Sequence, residues 1–284
     1  MKNYACHVRE EGSTSGTIDS SNTVNRKLSL HMYSSTGFHD EQIDDIVARV
    51  DEVVEVPASR VGRKRVLSLR DCVVVVLIYL RSNRTQASIA DQFGVSQKTV
   101  SRNIVSLTPI LGQILTDHTP TVEDLDPTEP LIIDGTLLPT WSWRSMPELF
   151  SGKHKTTGVN VQVACDLTGR LAFVSDPMPG RTHDTKALRA TGLLDHITPG
   201  QLIGDKGYIG LGMITPVRAQ PNHQHTEEEK NFNKSVNTIR HKIERAIANL
   251  KTWRILHTDY RRPFKTLTET ITTVLALHFY KNTF

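Results

Sequence analysis

The chain has 284 residues, 38% of them hydrophobic and 23% charged, with a formal net charge of +4; that length buries one large core or two ordinary ones. The longest apolar run, Cys72 to Leu80, is nine residues, less than half of the roughly 20 that a membrane span needs, and the opening MKNYACHVREEGSTSG lacks the apolar core of a signal peptide. Cys6, Cys72 and Cys165 are far apart and odd in number, which argues against a disulfide framework or a cysteine zinc site and points to a reducing, cytoplasmic setting with no membrane partner.

Residues 1–27, rich in Ser, Thr, Asn and Gly, read as a disordered tail. Phe38 to Val56 reads as an amphipathic helix ended by Pro57. It is acidic: seven acids against Arg49 between Asp40 and Glu55. The balance then reverses, with nine Lys or Arg between Arg60 and Arg102 against Asp71 and Asp91. Gathered base is the footprint of a polyanion partner, and equally the solvated face of a helix. A helical block follows from Leu67 to about Leu115, so residues 28–117 form an all-α region.

Within it, QASIADQFGVSQKTVSRNIVSL (86–107) has the logic of a helix-turn-helix. Ala90 is small at the helix crossing, Gly94 supplies the turn, and Val100 packs back with Ile89, Phe93, Val95 and Ile104. Ser96 suits the second helix as its N-cap. That leaves Gln97, Lys98, Ser101 and Arg102 where a recognition helix meets base edges and phosphates. An ordinary helical hairpin shares the spacing; the local basic excess favours DNA.

The linker TPTVEDLDPTEP, with three prolines and four acids, marks a boundary. Residues 128–284 then alternate strand and helix, the pattern of an α/β domain. LIID (131–134), VNVQVAC (159–165), RLAFVS (170–175) and QLIGD (201–205) read as strands, the middle two as a hairpin turning at Leu167-Thr168-Gly169. Asp184 to Leu194 reads as one helix with Asp184 at its N-cap. Asn231 to Trp253 carries apolar residues at 236, 239, 243, 247 and 250, the spacing of a helix packed on a sheet. A last helix spans Phe264 to Tyr280.

Asp134 and Asp205 each end an apolar strand, and Glu244 lies beside Ile243 on the long helix. Singly, each has a plain explanation: Asp before Gly is a turn residue and a helical Glu faces water. Together they suggest a site, because ligands of such sheets gather at the carboxyl ends of strands. Converging carboxylates repel, and hard cations such as Mg²⁺ or Mn²⁺ relieve the repulsion through oxygen ligands. Two such ions activate a water or 3′-hydroxyl and stabilise the leaving oxygen of a phosphodiester. At 100° per residue, Arg240, Glu244 and Lys251 fall within about 40° of one another; the same spacing serves a surface ion pair worth about 0.3–0.5 kcal/mol. Lys153, His154 and Lys155 form a basic cluster suited to DNA or to water alone. His223 and His225 lack a third ligand for zinc. Trp141 and Trp143 read as loop anchors, with stacking on flipped bases as the alternative.

The segments IIDGTLLPT, SGKHKTTGVNVQV, PGRTHD, GDKGY and IRHKIERAIANLKTWR together resemble the transposases of bacterial insertion sequences. The match is to the insertion-sequence-five group of the DDE superfamily, related to the Harbinger endonucleases, and covers roughly residues 60 to 281. The resemblance implies a ribonuclease-H-like α/β catalytic fold behind the all-α helix-turn-helix region. It places a catalytic, metal-binding triad on Asp134, Asp205 and Glu244, and an Arg-x3-Glu-x6-Lys signature on Arg240, Glu244 and Lys251. Many relatives carry Tyr where Asn237 stands, and Asp184 in PGRTHD falls on a recurrent family position, so that a fourth carboxylate near the site is the alternative to a helix cap. The implied activity is Mg²⁺- or Mn²⁺-dependent cleavage and strand transfer at transposon terminal inverted repeats, by a homo-oligomer on DNA at the nucleoid. Two rival readings are a nuclease that cuts without joining, and a decayed transposase that only binds DNA.

Overall fold

The computed structural model describes residues 32–54, 66–141, 145–219 and 224–283. The tail expected at 1–27, with Cys6, Pro57, Trp143 and His223, lies outside the described residues.

Helix α1 (Asp40–Val53) buries Ile43, Ile46 and Val50 along one stripe, and of its acids Asp40 and Asp44 pair with Arg70 of the next helix. Helix α2 (Leu69–Ser82) starts at Ser68, whose Oγ accepts the Asp71 N–H at 3.1 Å. It buries every residue from Val73 to Leu80, so it is the hub of the helical layer. Helices α3 (Gln86–Phe93) and α4 (Gln97–Ile114) are joined through Gly94 at φ +61°, a conformation that suits glycine. Ser96 caps α4 by accepting the Thr99 N–H at 3.2 Å. The helix-turn-helix expected over 86–107 is therefore formed, with Ile89, Ala90, Val100 and Ile104 buried between its arms.

Six strands make the sheet: β1 (Leu131–Pro139), β2 (Phe150–Ser151), β3 (Thr156–Cys165), β4 (Leu171–Val174), β5 (Met178–Pro179) and β6 (Leu202–Ile203). β3 runs antiparallel to β1, β2, β4 and β5, and β6 pairs parallel to the far side of β1. The β3–β4 hairpin turns at Gly169, with φ +91°. β1 is longer than the strand read from LIID, because Thr136, Leu137 and Leu138 are also buried and keep pairing with β3. The single helix expected from Asp184 to Leu194 is two short ones, α5 (Asp184–Arg189) and α6 (Leu193–His196). Gly192 at φ +78° breaks it, and Thr191 Oγ1 takes the Leu193 N–H that a continuous helix would have used.

Helix α7 (Glu227–Leu250) opens on three glutamates and a Thr226–Glu229 capping box, charges that favour a helix N-terminus; for this reason it starts before the apolar pattern does. α8 (Arg254–His257) and α9 (Leu267–Thr283) follow.

Side chains alternate across β1. Ile132 and Leu138, with Val159, Val161 and Val163 of β3, join the large core that also holds α7, α9 and the N-terminal helices. Leu131 and Ile133 join a smaller core with Leu188, Leu193 and Tyr208. Helix α9 ties the halves together. Thr273 Oγ1 donates to the Thr108 carbonyl of α4 at 2.9 Å, and Tyr280 donates to Asp45 of α1 at 2.8 Å. Gly112 of α4 faces Thr273 so closely that a Cβ there would stand 2.8 Å from its hydroxyl. Across the proline-rich stretch, helical region and sheet thus share one core.

Candidate active site

The register of β1 and β6 positions two carboxylates. The strands pair Leu131 with Leu202 and Ile132 with Ile203 and then part, and Asp134 and Asp205 each come two residues after the last pair. With a side-chain period of two, both lie on the face of Ile132, the one α7 covers. Asp134 is mid-strand and not at a strand end as its sequence suggested; what ends beside it is β6. Its Oδ1 accepts the Gly135 N–H at 2.9 Å, and Asp205 Oδ1 accepts the Gly207 N–H at 2.7 Å. Among the described residues neither second oxygen has a hydrogen-bond partner. Burial raises the Asp134 pKa above the usual carboxylate value; Arg240 opposes the rise and Asp205 adds to it.

Helix α7 brings cations to the same face. Arg240 is the strongest charge acting on Asp134, and its Nε is buried without a partner among the described residues. Burial lowers the Lys251 pKa, and the attraction of Asp134 offsets part of that. Glu244 lies between them along the axis, about 6 Å from the level of Arg240 and about 10 Å from that of Lys251 at 1.5 Å per residue. Its carboxylate is 65% exposed and pairs with His241 Nδ1 at 2.9 Å. The structure therefore gathers Asp134, Asp205, Arg240 and Lys251 and turns Glu244 outward. Among the described residues, no three acidic, histidine or cysteine side chains stand close enough to surround one ion.

Asp184 is not the helix cap its position suggested. His183 holds the N-cap position, and the Asp184 carboxylate points instead to Lys153 Nζ and Asn160 Nδ2, each at 3.0 Å. It packs behind β1: a Cβ on Gly135 would stand 2.6 Å from its Oδ1. Behind it runs a buried polar chain. Tyr208 donates to Gln162 Oε1 at 2.7 Å, and Gln162 Nε2 donates to Asn160 Oδ1 at 3.1 Å. Burial pushes the Asp184 pKa up, but the Asn160 and Lys153 bonds outweigh it and hold the carboxylate below its usual value. Burial likewise opposes the charge on Lys153, and Asp184, Asp205 and Asp134 together reverse that. Burial, then all three aspartates, raise the Tyr208 pKa.

Asn160, Gln162 and Tyr208 were not singled out from the sequence. The available signal was two amides in β3, a strand whose faces are both covered, since buried amides demand partners. Of the expected DNA contacts, Gln97, Lys98 and Arg102 are exposed on α4 and Ser101 is half-buried. Asn237 is exposed. Trp141 is 58% exposed, which corrects its reading as an anchor. His225 pairs with Glu229 at 3.3 Å.

The sequence model of the DDE superfamily endonuclease matches residues 133–278, a span from β1 into α9, and that of the helix-turn-helix of DDE superfamily endonuclease matches residues 65–117. The chain belongs to the DDE superfamily of endonucleases. It is similar to a putative transposase for insertion sequence element IS112 of Streptomyces albus G, with 33% identity over 201 residues, 70% of this chain and 75% of the relative. It is also similar to a probable transposase for insertion sequence element IS702 of Microchaete diplosiphon, with 26% identity over 247 residues, 83% and 89% of the two chains. No solved structure matches it. This DDE endonuclease is thus an insertion-sequence transposase by family. No helix among its described residues is long and apolar enough to cross a membrane.

Proposed function

We propose that the protein cleaves DNA at transposon ends and joins the freed 3′-hydroxyl to target DNA, using Asp134, Asp205 and Glu244 to hold Mg²⁺ or Mn²⁺. The observation that carries this reading is the shared register of Asp134 and Asp205 beneath a helix whose Arg240 and Lys251 both interact with Asp134. The donor set fits the cation. Mg²⁺ is commonly held by one or two carboxylates, with waters and substrate phosphates completing its shell, and here two carboxylates each have an oxygen to offer. When bound, the cation activates the attacking oxygen and stabilises the leaving one.

The residues around it have their own tasks. Arg240 and Lys251 hold phosphate oxygens on either side of the cut, each reached from a half-buried position where charge is poorly screened. Gly135 and Gly207 N–H groups fix one oxygen of each aspartate, so the other faces the substrate. Glu244 is axially level with the site; to join it, the carboxylate must leave His241 and swing inward as DNA arrives. Terminal inverted repeats and target DNA are the partners, and α4 is the element that reads the repeats. Assembly on DNA is as a homo-oligomer.

The test is Asp205→Asn, which keeps shape and removes charge. On a labelled duplex with Mg²⁺, cleavage falls by at least about a thousandfold, or roughly 4 kcal/mol of transition-state stabilisation. DNA binding persists. Near-normal cleavage by the folded variant defeats the assignment. Wild-type protein that cleaves without joining labelled ends is a nuclease alone.

A further inference from the structure

A run of cations leads from the helix-turn-helix to the carboxylates. It starts at Arg84, directly before the Thr85 cap of α3, whose guanidinium binds Ser88 and Gln92 of that helix. Just before it in the chain, Ser82 and Asn83 join Trp141, Arg254, Thr258 and Arg261 in walling a shallow cleft of about 420 Å³, where Asp259 is the one acid among the described residues. Arg261 donates to the Asn83 carbonyl, and the Trp141 N–H donates to the Tyr260 carbonyl at 3.2 Å. These bonds fix the Trp141 backbone and the Arg261 guanidinium to one frame. Beyond Arg254 comes His257, whose pKa is lowered by burial and then by the crowding of Lys251 and Arg254. Lys251 in turn feels Asp134.

Folding accounts for Arg84 and Arg261, which bind Gln92 and Asn83, but not for the exposed Arg254 and Trp141 beside them. Packing like charges within each other's field costs stability, and more than half of the Trp141 surface stays in water. A polyanion reverses both costs: phosphates neutralise the cations with release of counterions, and the indole packs against sugar. We propose that the strip is a duplex-binding track that carries the DNA between the bases read by α4 and the phosphodiester at Asp134. Arg254 and Arg261 hold backbone phosphates, and Trp141 lies against the deoxyribose beside them. The proposal rests on the DNA-cleaving function argued above and adds a second contact surface to it.

The experiment measures binding of the full chain to a labelled mixed-sequence duplex across a salt series, without divalent cation, so that cleavage plays no part. Each phosphate contact contributes about 0.9 to the slope of log affinity against log salt. Arg254→Ala with Arg261→Ala therefore lowers the slope by about 1.8. Adding Lys98→Ala and Arg102→Ala lowers it by about 3.6, because one duplex crosses both surfaces. Arg254→Glu covers the case in which loss of the Arg261–Asn83 bond unfolds the double variant, since Arg254 is exposed and its helix is only one turn long; affinity drops tenfold or more. Trp141→Ala weakens binding several-fold, and Trp141→Phe restores most of it. An unchanged slope in the folded double variant, or unchanged affinity in Arg254→Glu, overturns the track. Asp205→Asn alters cleavage and leaves these slopes intact, so the two proposals fail by different measurements.

Discussion

The helix-turn-helix and the carboxylate site belong to one molecule but are specified in different ways. The first is local. The cap of α4, the turn glycine and the residues buried between the two arms all lie within 86–107. The second is assembled from β1, the end of β6, the loop before β3 and the middle of α7, held in place by a core that α9 completes. The difference teaches where errors arise. Local chemistry announces itself in the residue types, whereas an assembled site depends on strand lengths and registers that no single segment encodes.

Three variants break or sharpen that contrast. The largest effect is expected from Leu277→Ala, a fully buried position on α9. The deletion costs about 2–5 kcal/mol. Because the halves share a core, helical circular dichroism and the near-ultraviolet aromatic signal disappear in one transition at a lower temperature. Two separate transitions instead mean that the helical region stands alone.

Next is Asp184→Asn. It removes the charged partner of Lys153, a bond worth about 1.5–3 kcal/mol, while α5 uses no side-chain cap there and keeps its form. Cleavage falls about tenfold to a hundredfold and DNA affinity stays close to normal. Wild-type cleavage rates would show that Asp184 only supports the back of the sheet.

The smallest effect is expected from Lys98→Ala with Arg102→Ala. Both side chains are exposed, so the fold is untouched. Affinity for DNA drops about tenfold and the salt slope by about 1.8; cleavage at saturating protein is unchanged. Equal affinity in gel-shift titrations would remove α4 from the DNA interface.

Much of the fold was legible. Ser96 and Gly94 marked the turn, and the apolar residues at 236, 243 and 250 marked the buried stripe of α7. The ends of β1 and β6 were not, because burial of Thr136 to Leu138 depends on β3 lying alongside. The capping reading of Asp184, preferred over that of a fourth carboxylate near the site, failed for a related reason. A helix-start aspartate caps in isolation, but here Lys153 and Asn160, 31 and 24 residues away in sequence, offer charge and a buried amide that a solvated cap cannot match. Helical spacing grouped Glu244 with Arg240 and Lys251, yet a wheel fixes only the direction of Cβ; the neighbouring His241 decides where the carboxylate goes.

Helix α9 also orders events during synthesis. Chains fold as they emerge from the ribosome, early segments first. Yet α4 meets Thr273 of α9 at Thr108 and Gly112, a contact that the ribosome completes only after the rest of α4's packing partners. Until then α4 rests on α1, α2 and α3, with its α9 side uncovered. A copy cut short before Leu267 is therefore expected to carry a less stable helical region than the intact chain.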